Sequence, residues 1–195
     1  MELFHVSYKK IDSFTPRIPQ SRADGENASV PRICFAETIE QCVNAKPSGL
    51  GPILSGLMNN LPVLLYVYSI HTEDYPAELL LPPISVYENL SCKDALANCE
   101  YALLCKPKEV RERTFLVQDI LLRQDGYSLR KLYLEENPQD TNAYIVERLT
   151  NIINTTVLSS EPVQPEQLLL QMPENLKVAL RRYLSAKEIL HLEQE

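Results

Sequence analysis

Alternating apolar and polar residues at the start of the chain predict a β-strand. The segment Leu3–Tyr8 alternates in this way, and Arg32–Ala36 predicts a second, buried strand. Val63–Ile70 is rich in β-branched and aromatic residues, which is typical of a central strand. Two further strands are predicted at Tyr101–Cys105 and Thr114–Leu122, joined by a charged connection. Little helix separates these strands, so the pattern favours an α+β fold on a mixed or antiparallel sheet.

Helical periodicity occurs once near the N-terminus and then in the last third of the chain. Thr38 is placed to cap a helix over Ile39–Ala45. Apolar residues recur at helical spacing over Asn142–Val157 and Pro173–Leu192. Prolines at 76, 82 and 83 are expected to break the segment between the central strand and the next one.

The chain has 195 residues, which suggests one domain or one domain with a helical appendage. We expect an α+β sheet domain over residues 1–125, followed by a C-terminal helical segment over residues 126–195. The net charge of −7 argues against a generic nucleic-acid binder, because phosphate contacts need clustered cations. No glycine-rich phosphate loop, dinucleotide fingerprint, zinc-protease helix or nucleophile-elbow motif is present.

Apolar runs and cysteine usage bear on the compartment. The longest apolar run, Leu61–Tyr68, is far shorter than the roughly 20 residues of a membrane-spanning helix, and no signal peptide is apparent. The cysteines are odd in number and form no C-x-x-C pair, so we expect a reduced cytoplasmic protein without a metal site. The five are Cys34, Cys42, Cys92, Cys99 and Cys105.

Two polar clusters are candidates for ligand binding. His5 and Ser7 lie two residues apart on one strand and therefore share a face; they either line a cleft or form an exposed strand face. Arg17 and Arg22 lie in a proline-containing loop and either hold a phosphate through their guanidinium groups or pair with nearby carboxylates. Arg32 abuts the second strand, where a structural role is expected.

A carboxylate precedes the predicted Tyr101 strand. Glu100 at this position can stabilise an oxocarbenium-like cation or accept a hydrogen bond from a hydroxyl group. Spacing alone favours an exposed charge at the end of a strand.

These segments together resemble the motifs of ADP-ribosyltransferase-like proteins, including short bacterial and phage members. Such proteins often begin with a strand reading Leu-Tyr/Phe-His-x-Ser/Thr, and this chain has Leu3–Ser7. A buried second strand with an aromatic and a small residue then leads into a helix, as Ile33–Ala36 does here. A later glutamate on a short strand completes the set, and Glu100 is the best match. The resemblance covers about residues 1–122.

The resemblance implies NAD as cofactor and assigns roles to individual residues. His5 would hydrogen-bond the ribose next to the nicotinamide, and the backbone around Val6, beside Ser7, would hold the amide. Glu100 would stabilise the ribosyl cation as nicotinamide leaves. The pyrophosphate would be reached by Arg17 or Arg22, while Phe35 marks the second strand of the site.

Three departures from the family pattern leave alternatives open. Glu100 follows Cys99, so no Gln/Glu-x-Glu pair is present. Val6 stands where the family usually has glycine, and the helix after the second strand lacks the tyrosines that sandwich nicotinamide. A divergent transferase acting on a protein or nucleic-acid acceptor, or a fold that has lost NAD turnover, both fit. The alternative function is a non-enzymatic interaction protein, phage- or mobile-element-encoded, that binds a host protein, since the predicted C-terminal helices are amphipathic.

Overall fold

The structure, a computed structural model, describes residues 1–20, 22–46, 51–53, 55, 63–116 and 162–165. Within these residues six strands form one sheet with few helices, which confirms the predicted sheet-based fold. The helices predicted over 142–157 and 173–192 lie outside the described residues, which include only 162–165 of the predicted segment 126–195. The strands are β1 (Glu2–Ser7), β2 (Ile33–Ala36), β3 (Leu64–His71), β4 (Leu80–Leu81), β5 (Glu100–Leu103) and β6 (Arg111–Leu116), and the helices are α1 (Ile39–Asn44), α2 (Pro83–Leu90) and a 3₁₀ turn (Thr72–Asp74).

The strand order in the sheet is β4-β5-β2-β1-β3-β6. β2 pairs antiparallel with both β1 and β5, and β4 pairs antiparallel with β5. Strands from residues 2–7, 33–36 and 100–103 are therefore direct neighbours. The three segments that carry the sequence motifs meet in the middle of one sheet.

The register divides the side chains of these strands between two faces. Ala36 lies opposite both Phe4 and Glu100, and directly opposed residues of antiparallel strands project to the same face. We call this side the Glu100 face. Phe35 lies opposite Tyr101 and projects to the other side, which we call the Phe35 face. His5 follows Phe4 and therefore belongs to the Phe35 face.

Each face buries its own apolar cluster. The Phe35 face packs seven buried residues: Leu3, Ile33, Phe35, Ile70, Tyr75, Leu80 and Leu103. The Glu100 face is covered by α2 and the turn after it, with Val86, Leu90, Cys92, Ala95 and Ala102 buried together. The sheet consequently has apolar packing on both sides, and a buried polar group on either side stands out.

The helix predicted after β2 is confirmed as α1. Thr38 caps it: the Gln41 N–H donates to the Thr38 hydroxyl at 3.2 Å, and the Thr38 N–H donates to Gln41 Oε1 at 3.0 Å. This reciprocal capping box satisfies two of the amide groups that a helix N-terminus leaves without partners. Cys42, on the buried side of α1, donates its thiol to the Phe4 carbonyl of β1 at 3.0 Å.

The prediction that prolines break the segment after β3 is wrong for residues 83–90, which form α2. Pro83 occupies the first turn of this helix, where its fixed φ suits helix initiation and its missing N–H costs nothing. Ser91 ends the helix in the left-handed region, with φ of 55°. Strand β6 also begins earlier than predicted, at Arg111 rather than Thr114.

Backbone hydrogen bonds close the base of the irregular loop between β1 and β2, and a buried arginine side chain holds the loop in place. Arg17 and Arg32 exchange backbone hydrogen bonds at 3.2 and 2.9 Å. The fully buried Arg32 guanidinium forms an ion pair with Glu26 and donates to the Val30 carbonyl at 3.0 Å. This arrangement confirms the structural role expected for Arg32. The Asn27 N–H also donates to the Leu90 carbonyl at 2.8 Å, which ties the loop to the end of α2.

The chain divides into two compact units. One comprises residues 1–6, 12–49 and 67–112, and the other residues 7–11, 50–66 and 113–195. The predicted division near residue 125 stays a prediction. Within the described part of the chain, no helix has both the length and the apolar character that crossing a membrane requires.

Candidate functional site

A pocket lies within the first unit, where β1, β2 and β5 are neighbours. His5, Val6, Phe35 and Glu100, four of the residues singled out from the sequence, line it. Its volume is about 210 Å³, smaller than the roughly 300–1,000 Å³ of typical ligand sites. Its volume therefore suits a small chemical group rather than a large ligand.

The wall is built from six segments of the first unit. β1, β2 and β5 supply its floor, the end of α1 supplies one side, and the turn between α2 and β5 supplies another. The loop between β1 and β2 reaches it through two residues. Beyond the four predicted residues the lining consists of Pro19, Glu26, Cys34, Ala36, Cys42, Ala45, Lys46, Cys92, Asp94 and Asn98.

Glu100 is the buried acid of this pocket, with only 8% of its surface exposed. It belongs to β5 itself and follows Cys99, whose φ of 43° lies in the left-handed region and ends the preceding turn. Burial raises the pKa of the Glu100 carboxyl, and the nearby acids Asp94 and Glu26 raise it further; Cys34 and Arg32 oppose the rise. The carboxyl is thus harder to ionise than an ordinary glutamate.

Two thiols face the same carboxylate. Cys34 donates a hydrogen bond to Glu100, and Cys92 Sγ lies 3.8 Å from Glu100 Oε2 and 3.2 Å from Asp94 Oδ1. Burial raises the pKa of both thiols, and the Glu100 charge adds to that rise. They are therefore protonated at neutral pH and act as weak hydrogen-bond donors rather than as nucleophiles.

A cation could find ligands at this end of the pocket. One ligand atom each of Cys92, Asp94 and Glu100 lies within 4.8 Å of the others. The spacing of these three residues in the sequence does not predict that they lie close together. All five cysteines are free thiols.

His5 packs among aromatic rings on the Phe35 face. Its ring centroid lies 5.5 Å from that of Phe14, 6.0 Å from Phe35 and 6.4 Å from Tyr68. His5 Nδ1 lies 2.8 Å from the Cys34 carbonyl oxygen, which can only accept, so Nδ1 carries the proton of this hydrogen bond. Burial lowers the pKa of His5 to about 4, and the cations Lys46 and Arg17 contribute to the decrease.

The protonation state of His5 follows from these contacts. At neutral pH its ring is uncharged, with the hydrogen on Nδ1 and a lone pair on Nε2. Nε2 makes no hydrogen bond with any residue that the structure describes. It can accept a hydrogen bond from a hydroxyl group but cannot donate one.

The other predicted binding residues lie outside the pocket wall. The Ser7 hydroxyl accepts a hydrogen bond from the Lys9 N–H at 3.1 Å. Arg22 is exposed and donates to the Pro19 carbonyl at 2.5 Å. Arg17 is exposed. Its charge lowers the pKa of both His5 and Lys46, so it lies near these two pocket residues.

Lys46 is a pocket residue that the sequence analysis missed. It follows the end of α1 and is partly buried; burial, followed by the charge of Arg17, lowers the pKa of its ammonium group. No motif or spacing marks it, because it is a single lysine at the start of a loop. Phe14, which packs on His5, was missed for the same reason.

Comparison of the chain with protein-family models, curated proteins and solved structures gives no match.

Proposed function

We propose that this pocket binds NAD and that the protein is ADP-ribosyltransferase-like, with Glu100 as its catalytic carboxylate. The observation that supports this proposal is the convergence of three separate sequence motifs on one pocket. Residues 5–6, 35 and 100 are distant in sequence, and β1, β2 and β5 place them on the wall of one pocket, with His5 and Phe35 on one face of the sheet and the buried acid Glu100 on the other.

The main catalytic requirement of the proposed transfer reaction is stabilisation of the positive charge that develops on the ribose. The bond between the ribose C1′ and the nicotinamide nitrogen breaks, the bonding electrons leave with nicotinamide, and positive charge develops on the sugar. An ionised Glu100 beside that carbon stabilises the charge. An acceptor nucleophile of a protein, of nucleic acid or of water then attacks C1′. Because the pKa of Glu100 is raised, turnover decreases as the pH falls through that value.

His5 has a distinct place in this proposal. Nε2 is the atom available to accept a hydrogen bond from a hydroxyl group of NAD, since Nδ1 donates to the Cys34 carbonyl. The imidazole and the Glu100 carboxylate leave the sheet on opposite faces, so His5 is tested separately from Glu100.

Nicotinamide release provides an assay that does not require the acceptor to be known. Wild type, Glu100→Gln and the control Glu88→Gln, an exposed acid on α2 outside the pocket wall, are incubated with NAD. We expect Glu100→Gln to retain NAD binding by calorimetry but to lose a hundredfold or more in rate, on the order of the loss from one stabilising group. Glu88→Gln should match wild type. Equal rates of nicotinamide release for wild type and Glu100→Gln would show that Glu100 is not catalytic. Absence of binding at millimolar NAD would reject the proposed function.

His5→Ala is measured in the same titration, with thermal unfolding as a folding control. Loss of NAD binding by a folded variant supports a contact between His5 and NAD. Undiminished NAD binding by His5→Ala excludes that contact. The role of Glu100 is then tested by the nicotinamide-release assay alone.

One observation favours the interaction protein as a second candidate function. Ile84 and Tyr87 on α2 are 49% and 43% exposed and lie one turn apart, and Leu96 is 47% exposed. A contiguous exposed apolar patch is a feature of docking sites, and Ile84 and Tyr87 are neighbours on one face of α2. Recovery of a stoichiometric partner by wild type but not by Ile84→Ser/Tyr87→Ser, with no NAD binding, would favour this candidate.

A further inference from the structure

A thiol and two carboxylates meet where the turn between α2 and β5 forms the pocket wall. Cys92 Sγ lies 3.2 Å from Asp94 Oδ1 and 3.8 Å from Glu100 Oε2. All three side chains line the pocket, and those of Cys92 and Glu100 are buried. A tetrahedral Zn²⁺ with sulfur at about 2.3 Å and oxygen at about 2.0–2.2 Å sets its sulfur and oxygen ligands roughly 3.5–3.7 Å apart. The observed separations bracket this range, so the three atoms have the spacing of zinc ligands.

Hydrogen bonds within the turn hold these side chains in place. The Ala95 N–H donates to the Cys92 carbonyl at 3.2 Å, and the Glu100 N–H donates to the Ala95 carbonyl at 2.8 Å. Asn98 Nδ2 donates to Asp94 Oδ2 at 3.1 Å, which leaves Oδ1 as the oxygen beside Cys92. Partners that orient a ligating carboxylate in this way are typical of metal sites.

The Glu100 carboxylate has no strong partner for its charge. Among the described residues its hydrogen-bond donors are the thiols of Cys92 and Cys34, and thiols donate weakly. The Arg32 guanidinium is committed to another carboxylate, and neither Glu100 nor Asp94 forms an ion pair in the described part of the chain. A buried carboxylate next to a second acid is unfavourable without a cation, and a bound cation would relieve this cost.

Cys34 brings a second sulfur to the same place from β2. It lies opposite Ala102 in the register, so it projects to the Glu100 face in a diagonal position next to Glu100. It also lines the pocket and donates a hydrogen bond to the Glu100 carboxylate. Two sulfurs and two oxygens make a complete shell for a four-coordinate ion. Thiolate ligands select Zn²⁺ and related transition ions over Mg²⁺ and Ca²⁺.

We propose that this part of the pocket is a Zn²⁺ site with four ligands from this chain: Cys34, Cys92, Asp94 and Glu100. Each thiol releases its proton to the solvent as its sulfur coordinates the ion, and each ionised carboxylate coordinates through one oxygen. The site departs from the expectation that the cysteines bind no metal, because sheet register and a turn bring the ligands together rather than close spacing in the sequence.

This inference does not rest on the proposed function. Zn²⁺ bound through Glu100 takes up the oxygen that the proposed transfer reaction needs, so bound zinc would inhibit that reaction. Zinc binding is measured without NAD, so the failure of either proposal is recognised separately.

Calorimetric titration with ZnCl₂ under a phosphine reductant compares wild type, Cys92→Ser, Asn98→Ala and Cys105→Ser. Cys105 is the control, because it is a free thiol that packs on the Phe35 face outside the pocket wall. We expect wild type and Cys105→Ser to bind one Zn²⁺ per chain with equal affinity. Cys92→Ser should bind about a hundredfold or more weakly, and Asn98→Ala, which removes only the hydrogen bond to Asp94, about tenfold more weakly. Thermal unfolding without zinc confirms that each variant is folded.

Co²⁺ reports which side chains coordinate the ion. Wild type should show thiolate-to-cobalt charge-transfer absorption and the strong visible bands of four-coordinate Co²⁺. Both signals should weaken in Cys34→Ser and in Cys92→Ser but not in Cys105→Ser, and Mg²⁺ should not bind. Absence of zinc binding, equal zinc affinity in wild type and Cys92→Ser, or charge-transfer absorption unchanged in both pocket variants overturns the inference. Zinc binding that depends on Cys92 supports the site even where NAD does not bind.

Discussion

Replacement of His5 by asparagine tests the electrostatic description of the pocket wall. His5 has a pKa of about 4 in the folded protein, against an ordinary value of 6.5. The unfolded chain therefore takes up a proton at this residue between pH 6.5 and pH 4, and the folded protein does not. By linkage, His5 stabilises the fold fully above pH 6.5, and this stability is lost as the pH falls towards 4.

The size of the effect follows from the two pKa values. The difference between 6.5 and about 4, at about 1.36 kcal/mol per pH unit, corresponds to about 3 kcal/mol of unfolding free energy. Asparagine does not titrate, and its amide can still donate to the Cys34 carbonyl that Nδ1 contacts now. Lost contacts with the rings of Phe14 and Phe35 lower the stability of His5→Asn by an amount that does not vary with pH.

The assay is urea unfolding of wild type and His5→Asn at several pH values from 7.5 to 4. The advantage of wild type over the variant should shrink by about 3 kcal/mol across this range. Carboxyl groups titrate in both proteins and cancel in the difference. His71→Asn, at a histidine whose side chain is 57% exposed, is the control for the replacement of a histidine by asparagine outside the pocket. A constant difference between wild type and His5→Asn would refute the reasoning.

Two further predictions concern the stability of the elements that form the pocket. Arg32→Met should lower the unfolding free energy by about 3–5 kcal/mol in urea unfolding, because it leaves the buried Glu26 carboxylate unpaired. The double variant Arg32→Met/Glu26→Gln should recover part of this loss. Absence of any recovery would contradict the ion-pair argument. Thr38→Ala should lower the unfolding free energy by about 1 kcal/mol in the same assay, because α1 loses its N-cap. Asn44→Ala, at the other end of the helix, should lower it by less. Equal losses in the two variants would argue against the capping box.

Local patterns were sufficient to predict most of the described elements. β1, β2 and β3 follow from alternation and β-branched residues, and α1 follows from Thr38 and its apolar spacing. The sequence pattern does not predict helix α2, because Pro82 and Pro83 are typical of a break, although proline in the first turn begins a helix as readily as it ends one. The two-residue strand β4 is too short to give a pattern.

The pocket could be predicted only where a motif marked it. His5, Val6, Phe35 and Glu100 were found because each lies in a strand with a recognisable neighbourhood. Lys46 and Asp94 depend on contacts between segments that are distant in sequence, and no local pattern reports such contacts. The same limit applies to the two sheet faces, because the sequence does not give the register between β2 and β5.

The alternation of side chains in β5 has a consequence for how this protein can change over evolution. Glu100 and Ala102 point to one face, and Tyr101 and Leu103 to the other. Gain or loss of one residue within the strand would turn the carboxylate into the apolar cluster around Phe35. Related chains should therefore keep the length of β5 fixed, while the connection at 104–110 and the exposed turn of the loop around Gly25 are free to lengthen or shorten.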